Sequence, residues 1–418
     1  MLKMAASNKK FRSFLFMQTF ANLGHGMFSI IMMWLVHSHY QNPFYTGLAG
    51  VMFALPNVAN FIAGPFIDRH NKVTLIRVAC FVQFCIVGFL LLATFVFDLV
   101  IWVLLAAILV FHSAAKVSIP AATALLPKIV GGDELVSANV MRQVVAIVVG
   151  LVIGVFLFTV MDSEAGFRIF YAVLAVILFL AVVATLFIRD TCTGGTAASL
   201  DASALKKYFA ELGAGFVFIR RGIMLYLLVA FMAAGVFTNI AGVSTPMLAE
   251  IHSGTGSGYL LLVAMSMVGA MLGAGITKRL ADKFKLWKIF AGGWITMGAF
   301  RIIFINVIAD SFTRALVVAV FYYAMGNIIA IFFITLRQKQ PPKLLIGRID
   351  TIATSMMGVS AVVGAFVGGV LGTWLTDIHM VFAMQGVAYI VIGACLCLFK
   401  KVRTLPGVND VVACECEN

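Results

Sequence analysis

The chain has 418 residues, 62% of them hydrophobic and only 11% charged, with a mean hydropathy of +1.06, whereas an ordinary globular domain is about 45–50% apolar and ~25% charged. No soluble fold hides that much apolar surface, and 37 Gly and 37 Phe suit helices that approach closely in lipid and turn large side chains to the acyl chains. The net charge of +13 does not point to nucleic acid, because the basic residues are scattered between apolar runs instead of gathered on one water-exposed domain.

In chain order, Met1 to Arg12 is basic and leads straight into a long apolar segment. It lacks the short apolar core and small-residue cleavage site of a signal peptide, so the first helix is expected to stay in the protein. Apolar runs then recur at 11–36, 46–67, 74–96, 99–118, 135–160, 166–188, 222–249, 258–277, 286–308, 313–336, 345–372 and 378–399. Each is compatible with the ~20 residues of a membrane span, which predicts twelve. Pro120, Pro127 and Gly131-Gly132 are expected to interrupt the stretch 105–160.

Of the 30 Lys and Arg, only Arg168 and Arg314 fall on the side opposite the termini, and Arg142 and Arg301 fall inside spans. Short basic loops are retained in the cytoplasm, so both termini are expected there, in a bacterial cytoplasmic membrane. The longest hydrophilic stretch, Arg189 to Arg221, lies halfway along the chain. Within it Leu205, Tyr208, Phe209, Leu212, Phe216 and Ile219 recur at three- and four-residue steps, which predicts an amphipathic helix on the inner leaflet that spaces and anchors the two halves. The chain therefore divides into residues 1–188 as one six-helix bundle, 189–221 as a linker, 222–399 as a second bundle and 400–418 as a cytoplasmic tail.

An internal repeat supports two halves. Asp68-Arg69-His70-Asn71-Lys72 after the second span matches Asp282-Lys283-Phe284-Lys285 after the eighth, and Pro127-Lys128 before the fifth matches Pro342-Lys343 before the eleventh, at offsets of 214 and 215 residues. Similar offsets at corresponding places are what a duplicated carrier predicts. The fold class is accordingly an all-α integral membrane protein of twelve transmembrane helices in two pseudo-symmetric six-helix bundles.

Among the seven cysteines, Cys80, Cys85, Cys395 and Cys397 lie in apolar helices and Cys192, Cys414 and Cys416 in cytosolic segments, so no disulfide framework is expected. The pair Cys414 and Cys416 lacks a nearby His or third thiol, and no metal site is expected. No G-x-x-x-x-G-K-[ST] phosphate loop and no H-E-x-x-H are present. Gly254-Thr255-Gly256-Ser257-Gly258 reads as a loop and not a nucleophile turn.

Polar side chains in lipid are costly, so a row of them on one helical face points to a cavity or a neighbouring helix. Gln18, Asn22, His25 and Ser29 form such a row on the first span. His25 and His112 are the protonatable groups of interest, because imidazole titrates near neutral pH and no Asp or Glu lies deep in any predicted span. Each also fits a neutral, hydrogen-bonded core histidine. Lys116, Arg142 and Arg301 are cations with few carboxylates to pair with, which leaves an anionic or zwitterionic substrate open; Lys116 and Arg142 also lie close enough to a helix end to snorkel to the inner interface.

Gly64-Pro65-Phe66-Ile67-Asp68-Arg69-His70-Asn71-Lys72 resembles the loop motif of the major facilitator superfamily, G-x-x-x-D-[RK]-x-[GN]-[RK]-[RK], between helices two and three; only Val73 departs from it. Pro120 to Pro127, with Glu134-Leu135 and Ala138-Asn139, is similar to the subgroup of macrolide-efflux and enterobactin-exporter proteins. The resemblance implies that Gly64, Asp68, Arg69, Asn71 and Lys72 form a gate, with Asp68 latched on the positive N-terminus of helix eleven, near Arg348 to Thr351. The superfamily's helix-five antiporter motif is incomplete, since Gly150 and Gly154 are present but its proline is not, and Phe111-His112 and Lys116 stand where helix four often has an arginine.

Helices one, four, seven and ten line the centre in that superfamily, which adds Thr238, Asn239, Tyr323 and Asn327 to Gln18, Asn22, Ser29, Lys116, Arg142 and Arg301 as cavity candidates. What the resemblance implies is a monomeric secondary exporter of amphipathic small molecules, such as drugs or antibiotics, working by alternating access. It needs no cofactor beyond the proton gradient, and its partners are the bilayer and a small-molecule substrate. Export of an endogenous siderophore, peptide or lipid is the alternative, and an intramembrane enzyme or sensor the alternative of another class. Asp68→Asn is expected to lower transport while leaving expression and substrate binding largely intact; wild-type rates in a transport assay would refute the latch.

Overall fold

A computed structural model describes residues 9–61, 70–96, 100–130, 138, 141–142, 145, 149–150, 154, 157, 166–188, 202–342, 345–407 and 410. The helices are α1 (Lys9–Tyr40), α2 (Pro43–Val58), α3 (Lys72–Val96), α4 (Ile101–Val130), α5 (Gly166–Leu186), α6 (Ala202–Arg221), α7 (Met224–Ser253), α8 (Gly256–Lys283), α9 (Leu286–Asp310), α10 (Phe312–Lys339), α11 (Ile346–Trp374), α12 (His379–Leu398) and the short α13 (Lys400–Arg403). No strand occurs among the described residues. In hydrocarbon no water is present to satisfy backbone N–H and C=O groups, and a helix pairs them all within one segment.

Ten of these helices are long and apolar enough to cross a membrane. Helix α2 is 16 residues long and covers 46–58 of the second predicted span, and the fifth predicted span falls largely outside the described residues. The predicted ends of the other ten are reproduced to within several residues, except the end of the fourth, which lies twelve residues further on at Val130. The fold is the all-α, twelve-helix membrane architecture read from the sequence.

Two local expectations need correction. Helix α4 continues to Val130 through Pro120 and Pro127 instead of breaking there. Each proline removes one backbone donor, but Ala121, Ala122, Leu125, Leu126 and Val130 are buried in the core of their unit, and that packing holds the turns on either side. The segment Gly254 to Gly258 is only half a loop. Gly254 ends α7 in the left-handed conformation with φ 70°, Thr255 caps α8 by accepting the Gly258 N–H, and Gly256 to Gly258 are already helical.

The chain forms two compact units, residues 1–40 with 59–202 and residues 41–58 with 203–418. In the first, α1 packs on α4 and α5, and α3 packs on the same two helices. Its core joins Phe11, Phe14 and Met17 of α1 to Ile76 and Cys80 of α3 and Leu125 of α4. In the second, α2 and α7 flank α11, α9 pairs with α12 and α10, and α8 pairs with α10. Its core is centred on Phe290, Trp294, Phe333 and Tyr389.

The small residues of α11 serve two opposed contacts. Gly364 and Gly368 lie against the α7 backbone at Val236 and Ile240, while Gly369 and Gly372 lie against α2 at Gly47 and Pro43. A methyl group on Gly368 would come within 2.8 Å of the Ile240 Cα, and one on Gly369 within 2.8 Å of the Gly47 Cα. These neighbours are backbone, so they cannot swing aside. Lipid tails are as apolar as leucine, so close backbone approach and dispersion, rather than water exclusion, hold such helices together.

The linker helix α6 splits its apolar side chains differently from the expected single lipid face. Tyr208 and Ile219 are buried against the second unit and Gly215 lies on Ile352 and Arg348, whereas Phe209 and Phe216 are about half exposed. Arg348 fastens α6 to α11: its Nε and Nη2 both donate to Glu211 Oε2, at 3.1 and 2.6 Å, and its guanidinium lies 4.6 Å from the Tyr208 ring centre. Beyond α12 the chain folds back, with the Leu286 N–H donating to the Pro406 carbonyl at 3.0 Å and Val402 and Leu405 buried.

Gly369→Leu should destabilise the protein by roughly 1–3 kcal/mol through overpacking, read as a lowered midpoint in detergent thermal unfolding. Gly275→Ala, where a methyl group meets nothing within 4 Å, should be neutral or stabilising by about 0.5–1 kcal/mol. Equal behaviour of the two variants would contradict the packing account.

Candidate functional sites in the two units

Some of the polar residues predicted to carry function gather at two places, one in each unit. In the first unit, His25 of α1 and His112 of α4 have ring centres 4.6 Å apart with planes 61° from parallel. Phe28 and Phe111 stack beside them at 3.8 Å. Ser29 Oγ lies 2.8 Å from the His25 carbonyl oxygen, to which it donates, and 3.4 Å from His112 Nε2. A hydroxyl has one hydrogen. With that hydrogen on the His25 carbonyl, Ser29 offers a lone pair to His112, which favours the tautomer carrying hydrogen on Nε2.

The other nitrogen of interest is His25 Nδ1, which is buried with no hydrogen-bond partner among the described residues. Lys116, one turn along α4, lies within electrostatic reach of both rings. None of the described spans of this unit contains an Asp or Glu. Of the predicted stripe, Gln18 is buried at 4% exposure with its Oε1 unpartnered among the described residues, whereas Asn22 is exposed. Arg142 is half-buried with its guanidinium 5.8 Å from the Phe14 ring centre.

The gating motif is described only in part. Gly64, Asp68 and Arg69 lie outside the described residues. Asn71 caps α3, its Oδ1 accepting from the N–H groups of Val73 and Thr74 at 2.9 and 3.2 Å, and Lys72 donates to the His70 carbonyl at 3.0 Å. The N-terminus of α11 begins at Ile346, two residues before Arg348.

In the second unit the polar centre is Arg301 of α9, 5% exposed, with Gln385 of α12, 1% exposed. Arg301 Nε donates to Gln385 Oε1 at 2.6 Å. An arginine only donates, so the Gln385 oxygen must face it and the amide NH2 must face away. That NH2 donates to the hydroxyls of Tyr322 and Tyr389 at 3.0 and 2.7 Å. The Tyr389 hydroxyl lies 2.6 Å from Thr238 Oγ1, which in turn donates to the Ala234 carbonyl at 2.7 Å.

The whole chain thus has one polarity: guanidinium to amide, amide to phenol, phenol to threonine, threonine to backbone. Each donor strengthens the next. Arg301 also lies over the rings of Tyr322, Phe382 and Phe304, 4.5, 4.7 and 5.2 Å from their centres. Thr238 itself is exposed, so the network runs from the deepest cation to a side chain at the unit's surface.

Three remaining candidates stand apart from this network. Asn239 donates to the Gly235 carbonyl at 2.8 Å and packs on Gly364 at the α7–α11 contact. Tyr323 meets Tyr322 edge to face with ring centres 4.9 Å apart. The Oδ1 of Asn327 has no partner among the described residues. Gln385, Tyr389 and Tyr322 were not singled out from the sequence. The available signal was Gln385 and Tyr389 four residues apart, on one face of the last span.

A separate chain of imidazoles joins the end of α7 to the start of α12. His252 Nε2 lies 2.8 Å from His379 Nε2, and His379 Nδ1 lies 2.6 Å from Asp377 Oδ1. The His379 backbone N–H and then its ring hold the Asp377 carboxyl below the usual carboxylate range. Among the described residues no group of three or more His, Cys, Asp or Glu is placed to hold a metal ion.

Gln385→Leu should strand the Arg301 Nε and two phenols, costing roughly 1–3 kcal/mol, whereas Tyr389→Phe should cost ~0.5–1.5 kcal/mol. Thermal unfolding of the two variants in detergent checks the order; Tyr389→Phe falling further than Gln385→Leu would contradict the derived polarity.

Residues 14–349 match the Major Facilitator Superfamily. No curated protein sequence matches the chain. Among solved structures, a variant of the nucleoside transporter NupG is similar at a TM-score of 0.72 and 12% identity, covering 93% of this chain and 99% of that one. The peptide transporter POT in complex with sulfate is similar at 0.71 and 15%, covering 96% of each chain. A D-xylose-proton symporter is similar at 0.69 and 14%, covering 95% and 98%. At such identities the likeness concerns the fold. With ten apolar spans among its described residues and a family match over most of its length, the chain is a multi-pass membrane protein of the Major Facilitator Superfamily.

Proposed function

We propose that this protein is a proton-coupled secondary transporter that exports amphipathic small molecules, drugs or antibiotics among them, by alternating access. Family membership supports a secondary transporter of small molecules. Direction and substrate class rest on the likeness of the Pro120 to Pro127 stretch to macrolide-efflux and enterobactin-exporter sequences.

The observation that carries proton coupling is the His25–His112 pair. It sits in a unit whose described spans contain no carboxylate, so imidazole is the side chain there whose unperturbed titration lies nearest neutral pH. The unpartnered Nδ1 of His25 is the acceptor, and His112, oriented by Ser29, is the neighbour that feels the charge. Two imidazolium rings 4.6 Å apart beside the Lys116 ammonium would repel, so the pair holds one proton at a time. Protonation changes the charge of a site enclosed by Phe28 and Phe111, which gives the two conformations of a carrier different proton affinities.

Proteoliposomes with an imposed proton gradient test this with a fluorescent amphipathic dye. Flux should follow the gradient in the wild type, and His25→Gln should flatten its dependence on pH. An unchanged pH profile in His25→Gln would reject His25 as the carrier of the proton, and gradient-independent flux in the wild type would reject proton coupling altogether.

A further inference from the structure

Arg301 carries a charge that the hydrogen-bonded network of the second unit does not balance. Its Nε is occupied by Gln385, but Gln385, Tyr322, Tyr389 and Thr238 are all neutral, and no carboxylate among the described residues pairs with the guanidinium. The acidic residues of the described spans in this unit, Glu250, Asp282, Asp310 and Asp350, all lie within five residues of a helix end. The three aromatic faces around Arg301 attract a cation without neutralising it. A guanidinium stays protonated in proteins, and a buried charge without a counter-charge is among the costliest arrangements within a membrane.

The four N–H groups on Nη1 and Nη2 donate to no described residue. Arg301 lines a cavity together with Phe304, Thr245, Leu262, Tyr323 and Phe382. Its free volume is about 10 Å³, close to the room that one water needs. Tyr323 is a second donor on this cavity, because its hydroxyl likewise has no partner among the described residues. Thr245 spends its hydrogen on the Ala241 carbonyl at 2.9 Å, so it adds no third donor.

We propose that this cavity is an anion site, in which the Arg301 guanidinium and the Tyr323 hydroxyl bind one chloride-sized monatomic anion among α7, α8, α9, α10 and α12. The lining carries a cation and neutral hydroxyls and no carboxylate, a set that opposes a metal cation. The free volume suits a monatomic anion better than an organic acid with a body behind its carboxylate. Held by Gln385 and three rings, the guanidinium is already oriented, so binding needs little rearrangement. The proposal is independent of the His25–His112 pair and of the direction of transport, since anion binding is measured without flux.

The test is thermal unfolding of the purified full-length protein in detergent, titrated with sodium chloride or bromide at constant ionic strength balanced by sodium gluconate. A saturable rise in Tm with either halide is expected, since a ligand bound to the folded state alone stabilises it by mass action. Half-saturation should need about tenfold more halide in Tyr323→Phe, the loss expected for one hydrogen bond to a charged group, and the response should vanish in Arg301→Gln. Tyr323→Phe keeps the buried ring, so it reports even if Arg301→Gln fails to fold, and chloride-35 linewidths of the wild type give a second reading of binding. Equal stabilisation by gluconate, or an unchanged response in Tyr323→Phe, would overturn the proposal. Formate or acetate matching the halides would overturn the monatomic assignment and make the site one for a substrate carboxylate.

Discussion

The constraint on which the rest depends is that hydrocarbon offers no hydrogen bonds, so each polar group of a spanning helix must find its partner inside the protein. Hydroxyls solve this locally: Thr277, Thr335 and Ser244 donate to the carbonyl four residues back, at 2.8, 2.8 and 3.1 Å. Asn239 does the same toward Gly235 at 2.8 Å, while other long side chains reach a neighbouring helix. Gln83 of α3 donates to the Phe111 carbonyl of α4 at 3.3 Å, and Arg77 of α3 to the Thr185 carbonyl of α5 at 3.2 Å. In this way a few polar residues tie α3 to both α4 and α5.

Close backbone approach supplies the complementary rule. Where the hydrophobic effect gives no preference between lipid and helix, contact area does, and glycine gives the most of it. Helix α11 carries this on two sides, toward α7 at Gly364 and Gly368 and toward α2 at Gly369 and Gly372. The same principle recurs at Gly298 and Gly386, each of which lies on the other's carbonyl, bringing α9 against α12. That contact sets the separation across which Arg301 reaches Gln385.

The polar centres of the two units are built for different tasks. Around Arg301 every donor in the line from guanidinium to Ala234 finds an acceptor, and aromatic rings fill the flanks; such a network fixes geometry. Around His25 the bonding is sparse, with one long contact from Ser29 to His112 and an unpartnered ring nitrogen. Burial and the nearby Lys116 cation both act against a positive charge on these rings.

Composition and the spacing of apolar runs determined the fold class, the number of spans and most of the span ends that lie among the described residues, because the thickness of the bilayer sets a length that any spanning helix must meet. The sequence also singled out His25, His112 and Arg301, since an ionisable group inside a span is visible without knowing its neighbours. Only the tertiary structure decided their partners. That Gln385 accepts from Arg301, that Tyr322 and Tyr389 complete the line, and that α4 runs on through Pro120 and Pro127 all depend on contacts between residues far apart in the chain. Lipid-facing and helix-facing positions are equally apolar, so periodicity cannot say which face of a span meets which neighbour; only the packed arrangement does.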